Sequence, residues 1–314
     1  MKENYKNILR IVLSVLVLSV IFFFFYREFR ENWVIIQSFK MKIGMFFLIA
    51  SFLAIVITYV LTTYCWFLTI NALSEQKITF MKSIAMVNTS NLTKYIPGKL
   101  WSYALQMYWL VNAGFSKSLI LYVNLMNLFV SLITTLIVGV GCLVFSPAIF
   151  PPALTITLLV ALIVFEFLFI AYNSPVFKRV IAVVNRIFKL DIVYYEAPRS
   201  LLYYLHFINF LSSLCFGLGA YFLCLGIGFE FDSSNILLIM SSMMIADVIG
   251  FVAVIMPGGL GVRESVMYLI LNGGSILTLA LILPIATRLV SMFVDIFLGT
   301  IGVVLLKRIK AAGK

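Results

Sequence analysis

The sequence predicts an all-α polytopic membrane protein, with about six full spans and two re-entrant broken-helix hairpins in an inverted repeat. Three observations carry the prediction. Of 314 residues, 63% are hydrophobic and 11% charged, more apolar surface than a water-soluble fold absorbs. Apolar runs long enough to cross about 30 Å of hydrocarbon recur along the chain. Two further apolar runs are each interrupted by a Pro-Gly motif, one at Pro97-Gly98 and one at Pro257-Gly258.

Taken in order, Lys2, Lys6 and Arg10 precede an apolar stretch over 8–26 that ends in FFFFYREFR. No small-residue cleavage site follows, so this reads as a retained first span. Further spans are expected over 43–73, 118–145, 149–172, 200–228 and 275–306. The interrupted runs cover 80–112 and 236–272. Loop charge decides how these two behave. The 146–152 segment, SPAIFPP, is uncharged, whereas 173–199 carries Lys178, Arg179, Arg186, Lys189 and Arg199 against Asp191 and Glu196. The tail adds Lys307, Arg308, Lys310 and Lys314. If each interrupted run leaves on the side it enters, both termini and 173–199 lie in the cytoplasm, as the positive-inside rule asks. The 27–42 loop, with four basic and two acidic residues, argues the other way. In 173–199, Phe177, Val180, Ile181, Val184 and Phe188 fall at helical spacing, with Lys178, Arg179, Arg186 and Lys189 mostly off that face. This connector is a basic amphipathic helix, either lying in the membrane interface or solvated.

The net charge of +11 belongs to cytoplasmic loops of a membrane protein rather than to a nucleic-acid surface. Cys65, Cys142, Cys215 and Cys224 all lie in apolar runs without metal-ligand spacing. There is no His/Cys cluster, P-loop or dinucleotide fingerprint, so neither metal nor cofactor is expected, and no enzymatic constellation emerges.

Shifted by 160 positions, the chain matches itself without gaps. Pro97 meets Pro257, Gly98 meets Gly258, Met107-Tyr108 meets Met267-Tyr268, Asn112 meets Asn272 and Gly139 meets Gly299. One transmembrane domain, 1–314, would hold repeat units at about 43–145 and 200–306. The odd number of spans between the hairpins would invert the second unit. Inverted repeats with broken helices are a transporter arrangement.

Proline removes an N–H and glycine lets the chain reverse, so each break must line a polar cavity rather than face lipid. Short helices follow near 100–112 and 262–272. Their first N–H groups, at the positive end of the helix dipole, suit phosphate. Lys94 and Lys99 flank the first break, and Arg263 and Glu264 follow the second. The expected substrate-binding set is Lys94, Pro97, Gly98, Lys99, Trp101, Pro257, Gly258, Gly259, Arg263, Glu264 and Arg288. Ionisable groups within spans are functional candidates because they are costly there. Asp247, Glu264 and Asp295 are the candidate proton carriers; the structural alternative is that they pair with Arg263 and Arg288 and hold helices together. The two lysines can also snorkel. Trp101 suits either headgroup stacking or interfacial anchoring. Asn88, Asn91, Asn124 and Asn127 suit bonds between helices better than cavity lining. Glu166 stands alone in its span, and His206 in YYLHF reads as structural.

KYIPGKLW (94–101) and MPGGLGVRES (256–265) resemble the two signature stretches of the lysylphosphatidylglycerol synthase transmembrane-region family, also described as flippase-like. The resemblance covers nearly the whole chain, and Pro97, Gly98, Trp101, Pro257, Gly258, Gly259, Arg263 and Glu264 fall on its motif positions. It implies a bacterial or archaeal polytopic membrane protein. In members that carry a soluble synthase domain, this region translocates an aminoacylated phospholipid. That domain is absent from this sequence, so lysyl transfer does not carry over. The expectation is a flippase or scramblase of the cytoplasmic (inner) membrane, whose partner is a phospholipid or polyprenyl-phosphate-linked lipid. The alternatives are a membrane enzyme acting on such a lipid, or a non-transporting partner of an envelope glycosyltransferase.

Overall fold

The computed structural model describes residues 42–95, 101–146, 150–171, 173–229, 234–253, 261–274 and 276–312, together with Tyr26 and Arg30. The expected first span at 8–26 and both Pro-Gly motifs lie outside the described residues. Every regular element among those described is helical: α1 (Met45–Leu73), α2 (Phe80–Asn91), α3 (Trp101–Asn112), α4 (Lys117–Val144), α5 (Pro152–Ala171), α6 (Asn173–Phe188), α7 (Arg199–Gly226), α8 (Ser234–Val252), α9 (Val262–Gly273) and α10 (Leu277–Ala312). A single 3₁₀ turn, Leu92–Tyr95, follows α2. Six of these helices, α1, α4, α5, α7, α8 and α10, are long and apolar enough to cross a membrane. This is a multi-pass membrane protein.

Local chemistry explains the starts of several helices. Thr79 caps α2 by accepting from the Lys82 N–H, and Ser116 caps α4 by accepting from the Leu119 N–H. The expected spans agree with α1, α4, α5, α7 and α10 to within a few residues, apart from the extended end of α10. The two interrupted runs differ from each other. α2 has 12 residues, about 18 Å, whereas α8 has 19, about 28 Å, and is itself long enough to cross. The apolar run over 236–272 is continuous enough in composition to hide that unequal division.

α1 and α7 form the central pair and run antiparallel. The Ser51 hydroxyl donates to the Gly219 carbonyl at 2.7 Å, Thr58 donates to Ser212 O at 3.2 Å, and Ser212 returns a bond to Thr58 O at 3.3 Å. Cys65 stands beside Leu205, and the Gly44 N–H donates to Gly226 O. As one partner advances by seven residues the other retreats by seven, the spacing of a close-packed helical seam. Small side chains let the backbones approach, and lipid offers no hydrophobic drive to replace that contact.

Each of the two short helices after a break folds back on the helix before it. Gln106 of α3 donates to Ser90 of α2 at 2.7 Å, and a Cβ on Gly114 would lie 2.7 Å from Gln76 Nε2. A Cβ on Gly250 of α8 would lie 2.9 Å from Arg263 Cβ in α9, and one on Gly274 would lie 2.3 Å from Leu238 Cδ2. Both pairs are therefore antiparallel hairpins. The open end of the first adjoins the end of α1 and the start of α4. The open end of the second adjoins the start of α10 and follows the end of α7, which sits beside Gly44 at the start of α1. The open ends thus lie at opposite ends of the α1–α7 pair. The packing is reciprocal: α2 lies along α10, and α8 lies along α4.

The expected amphipathic helix is present in the connector as α6. α6 stops at Phe188, Lys189 takes a left-handed conformation (φ 53°), and 190–198 carries no regular secondary structure. Phe177 and Ile181 are buried against Tyr122, Phe169, Leu202 and Leu205. The inner stripe of the amphipathic helix packs on protein, while Val183 and Ile187 stay exposed. Val193 N–H donates to Ser118 Oγ, and Ser116 bonds Tyr195, which fixes the connector at the open end of the first hairpin.

Candidate functional site

The second break supplies the clearest polar cluster. Gly261 precedes α9 with φ 80°, a left-handed value that a side chain would strain. Glu264, three residues on, turns back so that its Oε2 accepts the Gly261 N–H at 2.7 Å. The GVRE end of the motif is thus a helix start: glycine for the turn and a carboxylate for the open amides. A negative charge there also complements the helix dipole. One N–H at this helix tip is accordingly taken by the protein's own acid.

Arg263 leaves the same turn toward α8. Its guanidinium lies 3.1 Å from Asp247, donates to Met243 Sδ at 3.2 Å and stands 5.5 Å over the Phe216 ring. Glu264 Oε1 lies 3.8 Å from Arg288 on α10. Arg263, Glu264 and Arg288 side chains are 12%, 12% and 16% exposed, but Asp247 is 44% exposed. Three helices therefore contribute a row of alternating charges, Asp247, Arg263, Glu264 and Arg288. Its formal charges cancel, and its only half-open member is Asp247. Asp295, seven residues beyond Arg288, is buried on α10. The structural reading of these acids predicted pairing with arginine, and Asp247 and Glu264 each have a guanidinium beside them.

The first break is described less fully. Pro97, Gly98 and Lys99, like Pro257, Gly258 and Gly259, lie outside the described residues. Lys94 falls in the 3₁₀ turn after α2. Trp101 opens α3 and is exposed. The end of α2 rests on α10: a Cβ on Gly299 would lie 2.5 Å from Leu92 Cγ, and one on Gly302 would lie 2.5 Å from Thr89 Oγ1. α10 therefore touches the residues beside both breaks, Leu92 at Gly299 and Glu264 at Arg288. These contacts are about 16 Å apart along the helix.

Asn124 accepts from Trp66 Nε1–H and Asn127 accepts from the Thr69 hydroxyl, so both bond between α1 and α4 as expected. Asn88 donates to Ile84 O, but its Oδ1 is buried without a hydrogen-bond partner among the described residues; Gln106 Oε1 and Ser291 Oγ share that condition.

Glu166 is not alone. Its Oε1 lies 3.4 Å from His206 Nε2 and accepts from the Thr134 hydroxyl at 3.3 Å. Sequence spacing concealed this pairing because 40 positions separate the two residues, on α5 and α7. The available signal was two ionisable residues in neighbouring spans, each within about three turns of the same basic connector. Phe216 and Met243, which surround Arg263, gave no signal among so many apolar residues.

No curated protein matches the chain. The sequence model of the lysylphosphatidylglycerol synthase TM region matches residues 7–299. With the helical bundle, its six candidate spans and the GVRE turn in place, that match assigns the chain to the lysylphosphatidylglycerol synthase TM-region family, membrane proteins linked to lipid handling.

Proposed function

We propose that the protein carries a phosphate-bearing lipid, a phospholipid or a polyprenyl-phosphate-linked sugar, between leaflets of the cytoplasmic membrane. The observation that supports this most is the pair Arg263 and Arg288, held nearly out of water by acids where α9 begins. Arginine matches the geometry of phosphate oxygens and stays charged throughout. An incoming headgroup takes Arg263 by displacing Asp247, the most open member of the row. Asp247 then turns to water or accepts a proton. Lys94, Lys99 and Trp101 would serve the headgroup from the first break.

In the same proposal the two hairpins are re-entrant and the halves 43–145 and 200–306 are inverted repeats. The opposed open ends and the reciprocal packing of α2 on α10 and α8 on α4 support this reading. The end that carries Lys77, Lys117, Arg186, Arg199 and Lys307 then faces the cytoplasm. Movement is driven by downhill flow, a proton or the membrane potential.

The test is headgroup translocation in proteoliposomes. Arg263→Ala and Arg288→Ala are each expected to abolish it while the protein still accumulates and purifies as a folded species. Wild-type rates from both variants would remove this site from the mechanism. Recovery of chemically altered lipid after incubation would favour an enzyme instead.

A further inference from the structure

Glu166 and His206 lie outside the row of charges at the second break, in the part of α5 and α7 nearest the basic connector. His206 Nδ1 lies 2.7 Å from the Leu202 carbonyl. A carbonyl oxygen only accepts, so Nδ1 carries a hydrogen. In a neutral imidazole the other nitrogen, Nε2, then presents a lone pair. That nitrogen is buried, forms no hydrogen bond among the described residues, and lies 3.4 Å from Glu166 Oε1. With Glu166 ionised as well, two lone pairs would confront each other in a membrane-embedded setting. One added proton removes the conflict, either on Nε2 to give imidazolium and carboxylate or on Oε1 to give imidazole and carboxylic acid. The pair is then neutral overall, whereas without that proton it leaves a single negative charge inside the bundle.

We infer that Glu166 and His206 form a membrane-embedded proton-binding site, at which one proton shared between Nε2 and Oε1 is taken up and released. The neighbouring groups are compatible with this. Thr134 of α4 donates a hydroxyl to the carboxylate, and the ring of Phe169 stands 6.1 Å from the imidazole. Among the described residues, the groups that pair with Glu166 are Thr134 and His206. In the apolar cluster that contains Phe169, Leu202 and Leu205, the titratable side chains are Cys65 of α1 and Tyr122 of α4, with Tyr194 and Tyr195 of the connector packed against it. Their ordinary values lie above the range in which histidine changes charge. On α6, Lys178 lies over the Tyr194 ring, and on α7 Arg199 opens the helix at its exposed end. By contrast, Asp247 and Glu264 face guanidiniums, which do not release protons. Glu166 stands five residues, about 8 Å, from the end of α5, within reach of the basic side.

If lipid movement is proton-driven, this site supplies the proton, and that clause rests on the proposed function. The chemical claim is tested separately. Infrared difference spectra of the full chain in lipid nanodiscs, taken from about pH 5 to pH 9 to bracket the histidine range, report carboxyl protonation. The wild type is expected to show a carboxyl change that is absent from Glu166→Gln and displaced along the pH axis in His206→Gln. Arg263→Ala should retain it, even with transport abolished. Identical difference spectra for wild type and Glu166→Gln would overturn the inference. In proteoliposomes, wild-type translocation is expected to fall about tenfold per pH unit beyond the midpoint of the site, whereas Glu166→Gln stays flat with pH and the fall in His206→Gln is displaced along with its carboxyl change. A wild type that titrates but moves no lipid would leave the proton site standing and remove the transport reading.

Discussion

Glu264 serves two neighbours with one carboxylate, and its two roles separate by substitution. Glu264→Gln keeps an oxygen for the Gly261 N–H and loses the ion pair with Arg288. Glu264→Ala loses both. Thermal unfolding in detergent should therefore rank wild type, Gln, then Ala, with the second step costing about 1 kcal/mol as for other lost helix caps. Equal stability of the two variants would show that the Gly261 bond contributes nothing. The sequence singled out Glu264 as a binding and proton-carrying candidate and not as a cap, although the capping signal is local: glycine, then an acid three positions on, then helix. The pairing of Arg263 with Asp247 was legible only as one choice among several. It depends on α9 folding back along α8, with Gly250 making room for the arginine, and no short-range signal specifies that register. Glu166 and His206 were less legible still, since three helices' worth of chain decides their meeting.

At the scale of elements, the seam between α1 and α7 holds the bundle's centre with small residues and hydroxyls. A Cβ on Gly226 would lie 2.6 Å from Leu48 Cδ2 and 3.0 Å from the Leu48 backbone nitrogen. The side chain can move but the backbone cannot, so Gly226→Val is expected to destabilise by about 1–3 kcal/mol, the usual cost of overpacking. Gly141→Ala is the control. Its nearest neighbour would be Leu159 Cδ1 at 3.9 Å, an ordinary contact, and it should unfold like the wild type. Loss of stability in both variants would point to a general intolerance of bulk rather than to this seam. Most element boundaries were readable from apolar run length and turn residues, as with α3 and α9 starting right after the breaks. The unequal limbs α2 and α8 were not, because hydropathy measures how much apolar chain is present and not where a hairpin bends it. The apolar stripe of α6 was readable but its partner was not: Phe177 and Ile181 suit a lipid surface and a protein surface equally well.

Across the whole molecule, the opposed open ends make a prediction about sidedness. Gln76 adjoins the first open end, and Lys42 stands beside Gly228 near the second. Gln76→Cys should react with a membrane-impermeant maleimide from the cytoplasmic face, and Lys42→Cys from the outer face, after subtraction of labelling in the unsubstituted chain. Reaction of both from one face would end the inverted-repeat proposal. The helix that touches the residues beside both breaks adds a mechanical corollary. Pro284, where α10 is weakest, precedes Arg288, so the stretch from Arg288 to Gly299 contains no proline. A stiff rod pivoting between those two contacts lifts one as it lowers the other. In the proposed transport cycle such a see-saw would forbid a leak: the passage would admit one water layer in the same stroke that seals off the other.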